Sequence, residues 1–313
     1  MGNLTPPIDG RSFMGARQGC VEDVCKGGFA VIGAPFGTPY DLRGIASGAA
    51  DAPAAIRAAS YRYRAFAGRY DFDIGAPLFD PGQIDLHDLG DCAGDPADPG
   101  TAVAAIETTV RAVSARGALP IVLGGDDSTP IPICAGLDGH SDIHVLQIDA
   151  HLDYRDEVRG QRYGYSSPMR RVREMPHVGK IVHVGTRGIG SAHLQDMEDT
   201  LAAGNTIVTA RDIARSGTGA ALSQLPDGAN VYVTIDCDGL DPSVMPGTSV
   251  PLPGGLAFYD VVDMVLDLIR RCHLRGIGFA EHYPEFDINR HTAIAITRII
   301  SNAIGMSLRK QSA

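Results

Sequence analysis

An α/β fold with a central, mostly parallel sheet covered by helices on both faces is what three features of this 313-residue sequence predict. Short apolar runs closed by turn formers recur along the chain, stretches with helical apolar spacing fall between them, and the inner runs lead into acidic or imidazole residues. Parallel strands need crossover connections and are buried on both faces, so they read as near-continuous apolar runs alternating with helices.

Residues 1–28 read as an irregular arm. The run Gly28-Phe29-Ala30-Val31-Ile32-Gly33-Ala34-Pro35 is apolar and ends in turn formers, which marks a buried strand. Ala52-Pro53 opens a helix through Arg57 and Ser60, because proline suits a first helical turn. Asp85 to Asp91 is a short strand and turn. From Thr101 to Arg116, Val103, Ile106, Val110 and Val113 recur at helical spacing before Gly117, as in an amphipathic crossover helix. Further strands are expected at Leu119–Leu123, Ile143–Ile148, Ile181–Val184, Val231–Ile235 and Ile277–Ala280. A long helix is expected over Ala257–Arg271, with Val261, Val265, Leu266 and Leu268 on its apolar side and His273 and Arg275 near its C-terminal end. No linker, low-complexity tract or repeat interrupts the pattern, so residues 29–313 are read as a single α/β domain.

Composition narrows the function. A hydrophobic share of 44% supplies a large core, and a net charge of −10 without a dense Lys/Arg run argues against nucleic acid or an anionic membrane surface as partner. A small cationic partner fits better. No apolar stretch approaches the ~20 residues that span a bilayer, and Pro, Gly and charges occupy the first 28 residues where a signal peptide has its apolar centre. A cytoplasmic location is expected. Met1-Gly2 begins like a myristoylation site, but Pro6 stands where Ser or Thr is required. The six cysteines lack zinc-type pairing and read mostly as small buried apolar residues, with no case for a redox role at Cys20 and Cys25.

The chemistry concentrates after two of the runs. Ligands bind at the C-terminal edge of parallel sheets. In Asp149-Ala150-His151-Leu152-Asp153 the polar residues stand at i, i+2 and i+4, which an extended backbone would point the same way; Asp236-Cys237-Asp238 repeats the pattern. A lone Asp is ordinary at a turn, but several carboxylates converging with an imidazole repel one another and are costly to desolvate unless cations neutralise them. The oxygen-rich set with one nitrogen favours Mn²⁺ or a related first-row ion over a thiolate zinc site, and bridging carboxylates suggest two ions.

At this point the sequence resembles the ureohydrolases, the arginase and agmatinase family. Gly124-Gly125-Asp126-Asp127-Ser128, Asp149-Ala150-His151-Leu152-Asp153-Tyr154-Arg155-Asp156 and Thr234-Ile235-Asp236-Cys237-Asp238-Gly239-Leu240-Asp241-Pro242-Ser243 look like that family's three signatures, in order and spacing. The likeness extends to Gly33-Ala34-Pro35-Phe36, the helix entry at Gly48 to Arg57, Asp88-Leu89-Gly90-Asp91, Ser167-Pro168-Met169-Arg170-Arg171, Pro251 to Leu256, and Glu281 three residues before Pro284; it is nearest the agmatinase-like branch. The resemblance implies a three-layer α/β/α domain with a central parallel sheet, assembled as trimers or hexamers. It also implies hydrolysis of a guanidino C–N bond by a hydroxide bridging two divalent ions, Mn or Ni. Asp149 and Asp236 would bridge the ions, His151 and Asp238 would complete one, and Asp153 would ligate the other and accept the hydroxide proton. Glu281 would hold the cationic guanidinium.

Three positions depart from the family pattern. Asp127 stands where the family has a metal-ligating His, so the second ion depends on an oxygen donor there. Tyr165 replaces a His two residues before the Ser-Pro motif, and tyrosine, with a reference pKa near ~10, is a poor proton shuttle. Val250 replaces a Thr before Pro251 and removes a hydrogen bond. Two readings follow: a hydrolase of agmatine or of a substituted guanidine, or a catalytically deficient subunit supporting an active paralogue, as in heteromeric biguanide (metformin-type) hydrolases. Substrate identity is assigned to the loops at residues 154–166 and 186–196.

Overall fold

The computed structural model describes residues 4–7, 10–38, 40, 48–80, 82–94 and 98–312. The elements follow in chain order as β1 (Leu4–Thr5), β2 (Arg17–Gln18), β3 (Phe29–Ala34), α1 (Ala52–Ser60), β4 (Tyr70–Asp71), β5 (Ala76–Pro77), β6 (Leu86–Cys92), α2 (Pro99–Ala115) and β7 (Leu119–Gly124). The second half continues with α3 (Pro130–Ala135), β8 (Ile143–Ile148), α4 (Pro168–Arg173), β9 (Val178–Val184), α5 (Leu194–Ala202), β10 (Thr206–Val208) and α6 (Ala210–Ser216). It closes with α7 (Gly219–Leu222), β11 (Asn230–Asp236), α8 (Phe258–Arg271), β12 (His273–Ala280) and α9 (His291–Ser312).

The main sheet runs β1-β6-β3-β7-β12-β11-β8-β9-β10, with β2 also against β6; β1 is antiparallel and the other pairings are parallel. Side-chain alternation splits the core into two layers. Val31, Ile121, Leu123, Leu146, Ile148, Val233 and Ile235 share a cluster with Ile56 of α1, Val261 and Val265 of α8, and Ile296 and Ile300 of α9. Their neighbours Ala30, Ile32, Val122, Val145 and Tyr232 face the other way, onto Ile106 and Val110 of α2, Ile133 of α3 and Met169 of α4. The three-layer α/β/α architecture follows. Among the described residues no helix is long and apolar enough to cross a membrane.

Several local expectations change. The N-terminal stretch is not wholly irregular: β1 and β2 add to β6, the Phe13 backbone N–H donates to Asp88 Oδ2 at 2.8 Å, and Phe13 and Met14 are core residues. Met1 and Gly2 lie outside the described residues. His273 and Arg275 are not at a helix end but on β12, which begins four residues earlier than its apolar run suggests. Helix α9 was not anticipated, because its buried face mixes Ile with Thr292, Thr297, Ser301, Asn302 and Gly305 and so blurs the apolar period. Cys20 and Cys25 are exposed, and Cys92, Cys134, Cys237 and Cys272 are buried.

A buried ion pair ties the first half together. Arg57 on α1, 1% exposed, donates from Nε to Asp88 Oδ2 at 2.9 Å and from Nη2 to Asp88 Oδ1 at 3.0 Å, and also pairs with Asp91. Its planar fork matches two carboxylates that apolar surroundings would otherwise leave unpaired.

Candidate metal centre

Four adjacent central strands, β7, β12, β11 and β8, deliver the candidate residues to one edge of the sheet. Asp127 lies in the turn after β7, Glu281 follows β12, Asp236 ends β11, and Asp149 follows β8. The extended spacing expected for Asp149, His151 and Asp153 does not operate as such. Strand β8 stops at Ile148 and Asp153 takes a left-handed φ of 44°, so a turn rather than a pleat brings the three together. Asp238 likewise sits in a 3-10 turn, Cys237–Gly239. Glycine is demanded at that junction: a Cβ on Gly239 would stand 2.7 Å from Asp149 N. Another on Gly125 would stand 1.9 Å from Phe36 O, and the Gly125 carbonyl accepts the Glu281 N–H at 2.9 Å. Glu281 itself has φ 57°, and non-glycine residues in this region are uncommon and cluster at functional sites.

Two groups of donor atoms, each within 4.8 Å of one another, emerge: Asp149, His151 and Asp238, and Asp127, Asp149 and Asp153. Asp149 belongs to both. Its Oδ1 accepts the His151 N–H at 2.6 Å and its Oδ2 accepts Gln147 Nε2 at 2.7 Å. Asp238 Oδ1 accepts the Ala150 N–H at 3.1 Å, while its Oδ2 stands 3.0 Å from His151 Nδ1 without hydrogen-bond alignment. Asp236 is buried beside them, with Oδ1 accepting the Asp238 N–H at 2.8 Å, but it joins neither group.

Charge explains what this arrangement requires. Burial and then the neighbouring carboxylates Asp149 and Asp153 hold the Asp127 pKa well above the ordinary value. Burial and then Asp149 do the same for Asp153, and burial and then Asp238 for Asp236. The Asp149 and Asp238 carboxylates push His151 up to about 11, so without an ion the site draws a proton onto the imidazole. Asp127 Oδ2 and Asp238 Oδ2 are buried without a hydrogen-bond partner among the described residues. Orphaned carboxylate oxygens in an acid-rich, buried pocket are what divalent ions satisfy, so the residues present fit such ions.

Asp127, His151, Asp153 and Asp238 of these groups, with Asp236 and Glu281, line a cavity of about 490 Å³. Glu281 Oε1 accepts the Asp127 N–H at 2.9 Å, and burial followed by Asp126 pushes the Glu281 carboxyl up to about 8. Tyr165, 42% exposed, lines the wall with its ring 4.5 Å from that of Tyr40, and burial raises its hydroxyl pKa further from neutrality. Val250 lines the mouth and is 52% exposed. The loops assigned to substrate recognition supply Tyr165 and Ser166 from one and Ile189, Gly190 and Ser191 from the other. Reading the sequence missed Tyr283, which also lines the cavity and stands two residues beyond Glu281. It missed Gln147 and His183 as well: His183 is wholly buried, its Nδ1 bonds Gln147 Oε1, and burial pushes its pKa down to about 3. The same two-residue spacing before Asp149 could have signalled Gln147; nothing local marked His183.

The arginase family model matches residues 28–305. The chain belongs to the arginase family. Within it, the ureohydrolase sequences place the chain in the agmatinase-like branch. It is 30% identical over 289 residues to an agmatinase of Pyrococcus horikoshii, covering 92% of this chain and 94% of that protein. It is 28% identical over 274 residues to a guanidinobutyrase of Pseudomonas aeruginosa, covering 85% and 82%. Among solved structures, proclavaminate amidino hydrolase from Streptomyces clavuligerus superposes with a TM-score of 0.82 at 25% identity, over 96% of this chain and 97% of that one. The family match and the superposition agree on the arginase-family fold.

Proposed function

We propose that this arginase-family chain hydrolyses a C–N bond of a small guanidino compound at the floor of the cavity. The observation that carries the reading is the pair of donor groups sharing Asp149, whose other members Asp127, His151, Asp153 and Asp238 line one cavity with Glu281. Asp149, His151 and Asp238 would hold one divalent ion; Asp127, Asp149 and Asp153 would hold a second, with Asp236 beside both. Mn²⁺ or Ni²⁺ suits such a set. Ions bound there supply a water of lowered pKa and polarise the substrate.

The side chains do the remaining work. Glu281 accepts charge-assisted hydrogen bonds from the guanidinium and orients it toward the floor. The carboxylate of Asp153 would take a proton from the attacking water and return it to the leaving nitrogen, as a general base and then acid. Tyr165 keeps its proton near neutral pH and presents ring and hydroxyl to the substrate rather than shuttling protons. Ile189, Val250 and Leu252 give the mouth an apolar lining, which favours a guanidine or biguanide bearing short alkyl substituents.

One observation favours a second reading. Asp127 and Tyr165 replace two nitrogen donors at the reacting end, which suits a subunit supporting an active paralogue in a trimer or hexamer. A panel of agmatine, guanidino acids, alkylguanidines and biguanides, assayed with Mn²⁺, Ni²⁺ and Co²⁺ for urea, amine or ammonia release, separates the two. Release by the purified chain supports the hydrolase. Release only on co-expression with a paralogue moves catalysis to the partner, and none under either condition overturns both.

A further inference from the structure

We propose that Gln147 and His183 form a positioning pair that fixes the Asp149 carboxylate as the ligand common to both ion groups. The inference rests on the metal-dependent reading of the site. Gln147 and His183 are direct partners in the register of β8 and β9, and Gln147 lies two residues before Asp149, on the same side of the chain. Both are buried, at 1% and 0% exposure, where hydrogen bonds are shielded from water.

The chain of donors has one consistent direction. A carboxylate that holds a cation can only accept hydrogen bonds, so the group facing Asp149 Oδ2 must be the Gln147 amide nitrogen, at 2.7 Å. That leaves the amide oxygen toward His183 Nδ1, so Nδ1 carries the ring hydrogen. His183 Nε2 is then bare, in accord with its having no hydrogen-bond partner among the described residues, and the ring meets Tyr154 edge-on at 6.1 Å. With Oδ1 engaged by the His151 N–H and Oδ2 by Gln147, the carboxylate cannot rotate away from either group. Neither residue reaches the cavity, so both act through Asp149.

The test is Mn²⁺ titration calorimetry on the wild-type chain and on His183→Asn, His183→Leu and Gln147→Leu, with circular dichroism to verify folding. Asn places an amide N–H where Nδ1 stands, whereas Leu fills the space without a donor. The expected result is that His183→Asn binds Mn²⁺ within about threefold of wild type while the two Leu variants lose about 10–100-fold, the usual cost of removing a partner behind a metal ligand. A merely structural role gives the reverse order, because Leu suits an apolar site and Asn leaves a void. Equal affinities, or Leu binding better than Asn, overturn the proposal. The ¹⁵N resonances of His183 supply a readout independent of metal: Nδ1–H with bare Nε2 supports the pair, and Nε2–H overturns it. A wild-type chain that binds no divalent ion overturns the metal reading itself, and is told apart by the tautomer result.

Discussion

At the scale of the residue, Asp127 has two opposed effects. Its carboxylate is buried against Asp149 and Asp153 and costs the ion-free protein stability, yet it completes a donor group with them. Asp127→Asn should therefore raise the melting temperature of the chelated protein and weaken Mn²⁺ binding by at least about tenfold, ~1.4 kcal/mol. Scanning calorimetry and titration calorimetry read the two effects separately; unchanged affinity would remove Asp127 from the site. Arg57 is the contrasting case, a cation that already has its anions. Arg57→Met leaves Asp88 and Asp91 facing each other in the core, and urea unfolding should show a loss of about 3–5 kcal/mol. Asp149, His151, Asp153, Asp236 and Asp238 were legible in the sequence because clustered carboxylates and imidazole after apolar runs have few ordinary explanations, whereas Asp127, Tyr165, Val250 and Glu281 were reached through the family resemblance. The buried pair Gln147 and His183 was not, because neutral polar residues inside strands carry no such mark until a register brings them together.

At the scale of the element, strands β7, β12, β11 and β8 matter through where they stop. Their apolar runs announced them, and the crossover helices α2 and α8 were legible by periodicity. What the runs do not encode is the backbone beyond the last strand residue. The 3-10 turn at Asp238 is capped locally by the Asp236 carboxylate, whereas the left-handed Glu281 is tied to Gly125, whose close approach to Phe36 is a tertiary contact that no local propensity announces. The same limit hid α9, whose buried Thr and Ser residues are satisfied by bonds such as Thr297 Oγ1 to the Ala293 carbonyl at 2.8 Å. Gly239→Ala tests the junction of β8 and β11. The added methyl meets the Asp149 backbone, so Mn²⁺ affinity should fall at least tenfold, ~1.4 kcal/mol, while circular dichroism stays that of the wild type.

At the scale of the whole molecule, the cluster links stability to pH and to metal. Glu281, at about 8, and Asp126, at about 6, keep protons in the folded state that the unfolded chain releases near pH 4. Because the native state then binds more protons, the ion-free protein loses stability as pH rises from about 4 to about 8, and these carboxyls cost nothing further above that window. Divalent ions bind deprotonated ligands, and Asp127, Asp149, Asp153 and His151 all have raised pKa values, so the ions displace protons there and their stabilisation grows as pH rises. The Mn²⁺-induced rise in melting temperature should be larger at pH 8 than at pH 6; equal rises would mean that binding displaces no protons. The most direct test of the centre is elemental analysis of the chain after chelation and reconstitution with Mn²⁺, beside Asp149→Asn, the change at the one residue shared by both donor groups. The account predicts about two ions per wild-type chain and almost none in the variant, whereas a wild type that retains no ion, or a variant that retains both, would contradict it.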